Sequence, residues 1–216
     1  MPLLANEVMD ESASVYLNDP AKTRWGYTTL LPYLRSALLE LQAELEDNDM
    51  PTIHEVSAVL TVPPNTVLLT TPSDMVLPLK LYERGVGETR WEEMDELSWE
   101  PDADRDDKLH LWVYREGLIQ LLGSSSPREV MLKYVRSLSA LSSETSVIEV
   151  SNAKGFLAAR TAGLAASFGG HATARGDAAN GRAEYFKSKI LSSLTKRTQD
   201  RPVRRRRFPW QQLSRR

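Results

Sequence analysis

Residues 28–47 read TTLLPYLRSALLELQAELED and residues 53–62 read IHEVSAVLTV, and the change of hydrophobic period between them decides the fold. In the first stretch Leu30, Leu34, Leu38, Leu41 and Leu45 recur at intervals of three and four, one continuous apolar face of an α-helix. Burying each leucine is worth about 1.5–3 kcal/mol. Thr28 or Thr29 is a suitable cap for the free amides of the first turn, and Pro32 falls within that turn, where its missing donor costs little. The helix frays into Glu46-Asp47-Asn48-Asp49, with Pro51 beyond it. The second stretch is β-branched and alternates imperfectly, as a half-buried strand does.

Outward from this junction, Leu4, Val8 and Val15 mark a first helix over residues 4–17, stopped by Asn18-Asp19-Pro20. Downstream, Pro63-Pro64-Asn65 turns the chain, and Thr66 to Thr71 is expected to return as a second strand. Met75 to Tyr82 reads as another strand, its Pro78 indicating an edge or a bend. Leu109–Tyr114 and Leu118–Leu122 flank Arg115-Glu116-Gly117, a hairpin connection, and Glu129–Leu138 places Val130, Leu132, Tyr134 and Arg136 on one side. These segments predict an antiparallel β region of about five to seven strands.

Helices return after Val150. Ser151 or Asn152 caps a segment reaching Phe168, with Phe156, Leu157, Leu164 and Phe168 as its larger apolar residues. The small residues Ala158, Ala159, Ala162, Gly163, Ala165 and Ala166 admit a neighbouring helix closely, and Gly169-Gly170 ends the segment. A last helix over residues 172–196 brings Tyr185, Phe186, Ile190, Leu191 and Leu194 to one side. The expected fold class is α+β: mainly a helical bundle of two N-terminal and two C-terminal helices, with an inserted antiparallel β subdomain and an extended basic C-terminal tail. The corresponding segments are 1–50, 51–150, 151–198 and 199–216.

Composition narrows the function. A hydrophobic fraction of 41% with 26% charged residues is that of a soluble globular chain. No apolar run approaches the roughly 18 residues that span a bilayer, and the N-terminus lacks the pattern of a signal peptide, so folding in a cytoplasm is expected. With no cysteine there are no disulfides, thiolate metal sites or cysteine nucleophiles. The net charge of −2 conceals an asymmetry: residues 196–216 hold nine bases and one acid, +8, which leaves −10 for the remainder. Between Glu83 and Asp107 eleven acids face three arginines.

Catalytic and metal-binding patterns are wanting. His54, His110 and His171 are scattered over different elements. Asp102, Asp104 and Asp106 have the opening spacing of a calcium loop, but Asp107 and Val113 stand where glycine and a bidentate glutamate belong. Gly85-Val86-Gly87 begins like a phosphate-binding fingerprint, yet Arg90 replaces the third glycine, so a loop turn is expected. The acids from Glu92 to Glu96 read as a surface, with Trp91 and Trp99 pinning the loop. No enzyme, cofactor or metal is predicted.

The tail is the segment that carries a functional reading. Arg204, Arg205, Arg206 and Arg207 precede Phe208, Trp210 and Leu213, combining charge with apolar anchors. Such a segment has no core of its own, is extended until something holds it, and fits a protein groove with acids around its rim. The alternative is nucleic acid, where about six phosphate contacts give a log–log salt slope near about −5.

Several phrases carry a family resemblance: Leu17-Asn18-Asp19 before Arg24-Trp25, Leu31-Pro32-Tyr33-Leu34, Pro72-Ser73-Asp74-Met75, Lys133-Tyr134-Val135-Arg136-Ser137-Leu138 and Ala153-Lys154-Gly155-Phe156-Leu157. Over residues 3–195 the chain resembles the head-to-tail adaptor (connector) proteins of tailed bacteriophages, including gatekeeper-type neck subunits. The resemblance implies a virion protein at the head–tail interface, a dodecameric ring beneath the portal protein with a central DNA channel. It also implies a β part meeting a downstream tail or nozzle protein, transient contact with viral DNA and no membrane partner. The C-terminal arm would dock on the portal through Arg204–Arg207, Phe208, Trp210 and Leu213. An acidic body suits a DNA conduit, since it does not retain phosphate. The alternative function is a DNA-binding component of the packaging apparatus that grips with the arginine-rich tail.

Overall fold

The structure is a computed structural model and describes residues 2–98, 107–150, 152–168 and 173–199. The chain opens with β1 (Leu3–Leu4), α1 (Ala5–Glu11) and a π-helical turn (Ser12–Tyr16). α1 buries Ala5, Val8 and Met9. Val15, read from the sequence as part of this face, is exposed, because the wider turn shifts the phase and buries Ser12 and Ala13 instead. Ser12 donates its hydroxyl proton to the carbonyl of Val8 at 2.9 Å and lies 3.0 Å from that of Ala158. Asp19 organises the next turn by accepting from the amides of Thr23, Arg24 and Trp25 at 3.1, 2.9 and 2.8 Å. Those amides, Trp25 foremost, bring its carboxyl down to about 2.

α2 (Tyr27–Asp47) buries Leu30, Leu34, Leu38, Leu41 and Leu45, the five leucines whose spacing defined it. Its start differs from the expectation. Gly26, in extended conformation, precedes the helix and accepts the amides of Thr29 and Leu30, so neither threonine is the cap. Pro32 lies inside the helix rather than in its first turn.

A 3-10 turn (Pro51–Ile53) then leads to the strands: β2 (His54–Val56), β3 (Leu60–Val62), β4 (Leu68–Leu69), β5 (Met75–Gly85), β6 (Glu92–Glu93), β7 (Asp95–Glu96), β8 (Leu111–Arg115), β9 (Leu118–Leu121), β10 (Arg128–Arg136) and β11 (Val147–Ile148). The helices α3 (Lys154–Phe168) and α4 (Thr173–Gln199) follow. β10 is the spine of a five-stranded sheet, pairing antiparallel with β5 on one side and with β2 and β3 on the other, while β6 extends β5. The second sheet has the order β4-β9-β8-β7, and β1 pairs with β11.

Three local features explain the pairing. Between β2 and β3, residues 57–59 face only residues 131–132, so the register slips by one. Ser57 spans the slip: its amide donates to the Leu132 carbonyl at 2.8 Å and its hydroxyl accepts the Leu132 amide at 3.0 Å. Pro78 sits at a register irregularity of β5, the bend that the sequence indicated. Glu116 (φ 55°) and Gly117 (φ 82°) form the two-residue turn of the β8–β9 hairpin, where both positions need the left-handed region.

Two expectations are corrected. β4 does not return along β3 but crosses to pair with β9 in the other sheet. More broadly, the molecule is α+β but not mainly a helical bundle: the described residues hold eleven strands in three sheets beside four α-helices. Strands such as β4, β6 and β7 span two residues, too few to display alternation, so the β share was underweighted in the sequence.

One hydrophobic cluster joins α1, α2, α3 and α4 and takes in Val135, Leu141, Ile148 and Val150 from the β part. A second lies between the two larger sheets and includes Leu81, Met94, Trp112, Ile119, Val130 and Leu132. β10 contributes to both, through Val135 to the first and through Val130, Leu132 and Tyr134 to the second. On α4 the buried residues include Ala179, Ala183 and Ile190, whereas Tyr185 is 55% exposed.

Candidate functional site

The tail continues from α4, so the anchoring of α4 comes first. α3 meets it along the small residues anticipated from the sequence. A Cβ on Gly163 would lie 2.1 Å from Asn180 Oδ1, and one on Gly176 would lie 3.3 Å from Ala166 Cβ. Asn180 accepts from Arg160 Nη1 at 2.8 Å, and Arg160 also forks onto both carboxylate oxygens of Glu40 at 2.5 and 3.0 Å. Lys187 donates to Glu44 at 2.8 Å and lies 2.9 Å from Glu184. The hydrogen bond that Arg160 donates to Glu40 raises its pKa, and the one that Lys187 donates to Glu44 does the same for the lysine. Each pair is partly exposed, so its net contribution is about 1 kcal/mol at most.

These contacts also fix directions. Tyr33 stacks on Phe168 while Glu40 meets Arg160, so α2 and α3 are antiparallel. Gly155 lies against Phe186 and Gly163 against Asn180, so α3 and α4 are antiparallel as well. α4 therefore runs parallel to α2, toward the end where α2 hands over to the strands. The residues read as the docking set, Arg204, Arg205, Arg206, Arg207, Phe208, Trp210 and Leu213, lie outside the described residues.

The acidic stretch is not uniformly a solvated surface. Glu83 is 1% exposed and accepts from Arg128 Nε and from the Leu109 amide, each at 2.9 Å. Its Oε1 has no hydrogen-bond partner among the described residues. Beside it Arg84 pairs with Glu129 at 2.6 Å and lies 4.4 Å over the Trp91 ring, so Trp91 does pin this region. Glu92 pairs with Lys108 at 2.8 Å, and Lys80 pairs with Glu93. Trp99, Asp102, Asp104, Asp106 and His171 lie outside the described residues. The Glu83–Arg128 pair was missed in the sequence, although its signal was there: Glu83 follows Leu81, and Arg128 precedes Val130, at inward positions of alternating strands.

Gly85-Val86-Gly87 is a turn, closed by the Glu88 amide donating to the Gly85 carbonyl at 3.0 Å. Among the described residues no three histidines or carboxylates converge as a metal site. His54 Nε2 lies 3.0 Å from Asp49. No helix, among the described residues, is long and apolar enough to cross a membrane.

One surface feature has no counterpart in the sequence reading. Among the described residues β2 and β3 are paired only with β10, and β4 only with β9. Their other edges border two adjoining clefts, one lined by Val59, Leu60, Val62, Pro63, Leu68 and Leu69, the other by Glu55, Val56, Ala58, Leu60, Pro72 and Tyr134. Burial, with Asp74 beside it, pushes the Tyr134 hydroxyl up to about 12.

Against known proteins, the family model described as SU10 adaptor protein matches residues 5–207. No curated protein matches the chain.

Proposed function

The chain belongs to the SU10 adaptor protein family, phage structural adaptors of the virion, and from that premise we propose that it forms the ring joining the portal to the tail. In this reading a homo-oligomer, a dodecamer, encloses a DNA channel as a gatekeeper-type neck subunit. The tail docks on the portal through Arg204–Arg207, Phe208, Trp210 and Leu213, and the β part meets the downstream tail or nozzle protein. The helical segments 1–50 and 151–198 make the ring body, segment 51–150 projects from it, and residues 199–216 are the arm. The chemistry is binding alone, with no reaction.

The observation that carries this reading is the clamped helix. α4 is held to α2 and α3 by Arg160, Asn180 and Lys187 and runs unbroken to Gln199, immediately before residues 200–216, whose seven arginines and one aspartate give a charge of +6. A docking arm transmits position better when the helix that bears it is held, and α4 is held on two neighbouring helices as far as Lys187 and Ile190. Arginines with flanking aromatics suit an acidic rim with apolar pockets.

The test is electron microscopy of the full chain mixed with portal rings of its own particle. A second annulus stacked coaxially on the portal is expected, and a chain lacking residues 201–216 should remain folded but fail to add it. Normal assembly by the truncated chain refutes the docking role. Retention on duplex DNA that is lost between low and moderate salt, and that depends on Arg204–Arg207, would instead support the packaging reading.

A further inference from the structure

We propose that in the free subunit the chain's own segment Phe208-Pro209-Trp210-Gln211-Gln212-Leu213-Ser214 lies in the open seam between β3 and β4. The inference concerns the subunit before assembly and stands whether or not the arm later meets a portal.

The seam has the properties of a site from which one strand is missing. The free edges of β2–β3 and of β4 border adjoining clefts. From Val56 to Ser73 the chain runs 18 residues without a charge, although 26% of all residues are charged. Val56, Val59, Val67 and Leu68 are 51, 46, 44 and 52% exposed there. Open strand edges are ordinarily protected by lysine, by a bulge or by a cover, because bare amides and carbonyls beside apolar side chains recruit other strands. The register slip at residues 57–59 interrupts this edge at one point, but β3 and β4 carry no lysine, and their edges suit a cover of extended, uncharged chain.

The chain holds such a segment. Residues 208–214 carry no charge, and Phe208 and Trp210 fall on one side of an extended strand. The reach is sufficient. Lys187 lies beside Glu44, and from that level α4 advances 12 residues to Gln199, about 18 Å toward the strands. The eight residues 200–207 span up to roughly 26 Å more. Charge agrees as well. At the Glu55 end of the seam stand Glu55, Asp74 and Glu149, with Arg136 pairing Glu55 at 3.2 Å and Glu149 at 2.5 Å and Asp74 accepting from Tyr134 at 3.2 Å. The Arg204–Arg207 run, leading into the uncharged segment, has carboxylates to meet there.

The absence of native cysteine gives a clean test in the full chain. A variant carrying Val59→Cys and Gln211→Cys, mildly oxidised at low concentration, is expected to form an intramolecular disulfide in the monomer. A second pair, Ser36→Cys with Gln211→Cys, should stay reduced. Free thiols in the first pair, covalent dimers, or equal cross-linking of the second pair would overturn the proposal; dimers would assign the seam to a neighbouring copy's arm. Amide exchange supplies an independent reading without oxidation. Trp210→Ala in the full chain should speed exchange at residues 57–70 at least tenfold, and unchanged rates would refute the seam contact.

Discussion

Arg128→Met is the substitution whose outcome the structure constrains most tightly. Glu83 is 1% exposed and the Arg128 side chain 9%, so both charges are withdrawn from water. Glu83 keeps two donors, Arg128 Nε and the Leu109 amide, both on one oxygen, while Oε1 is already unpartnered. Methionine fills similar volume without charge and leaves the carboxylate with one backbone donor. Breaking such a pair from one side costs about 3–5 kcal/mol. For a chain of this size that is a fall in Tm of roughly 6–20 °C. The reverse holds for removal of both charges. Glu83→Leu with Arg128→Met should recover most of the loss, because the desolvation cost disappears with the pair and the surrounding cluster is apolar. Urea unfolding of the two single variants and the double variant, followed by circular dichroism at neutral pH, closes the cycle. If Arg128→Met loses less than about 1 kcal/mol, the pair is not the buried constraint argued for, and its link between β5, β10 and the entry to β8 has to be rejected.

Three further outcomes follow from the geometry. Gly163→Ala should destabilise by about 1–3 kcal/mol, because its Cβ falls 2.1 Å from Asn180 Oδ1; adding Asn180→Ala should restore part of this, measured by thermal melting. Gly117→Ala should cost about 1 kcal/mol, since residue 117 has φ 82° in open space and the penalty is conformational, not steric; equal stability of the two proteins in urea would contradict it. Asp19 has a carboxyl held near 2 against an ordinary 3.8, so its share of stability is present above about 3.8 and disappears as pH falls toward about 2. Titration of the wild type and Asp19→Asn through this window by tryptophan fluorescence should show a shallower slope in the second, the remainder belonging to Asp10, Glu92 and Glu149, whose carboxyls are also held low.

How much of this was legible in the chain depends on the length of the signal. The five leucines of α2 repeat over four turns, and the structure buries all five. The alternation of Val130, Leu132 and Tyr134 likewise defined β10, and Glu116-Gly117 gave the turn. The two-residue strands carry no period, and the crossing of β4 to β9 is a tertiary choice that nothing local in Thr66–Thr71 records. α4 shows a further limit. Of its larger apolar residues Phe186, Ile190 and Leu191 do pack into the helical core, but Gly163 and Gly176 also let the backbones approach, so Ala179 and Ala183 are buried and Tyr185 is left half out. Glu83 entered the sequence reading only as one acid of the Glu83–Asp107 run, whereas strand parity places it inward. The tail residues proposed for docking were legible only as composition and resemblance, since a segment without its own core has no packing pattern to read.

The double membership of β10 bears on how the molecule unfolds. A single strand of nine residues gives Val130, Leu132 and Tyr134 to one apolar cluster and Val135 to the other, and β5 pairs with it along this length. Neither cluster can lose its share of that ladder without exposing the other's. The helical and β parts are thus thermodynamically one unit, expected to melt in a single calorimetric transition whose van't Hoff and calorimetric enthalpies agree. A change in the β part, such as Arg128→Met, would then lower the melting of α2 by the same amount, although the hydrogen bonds described for Glu83 and Arg128 lie within the β part.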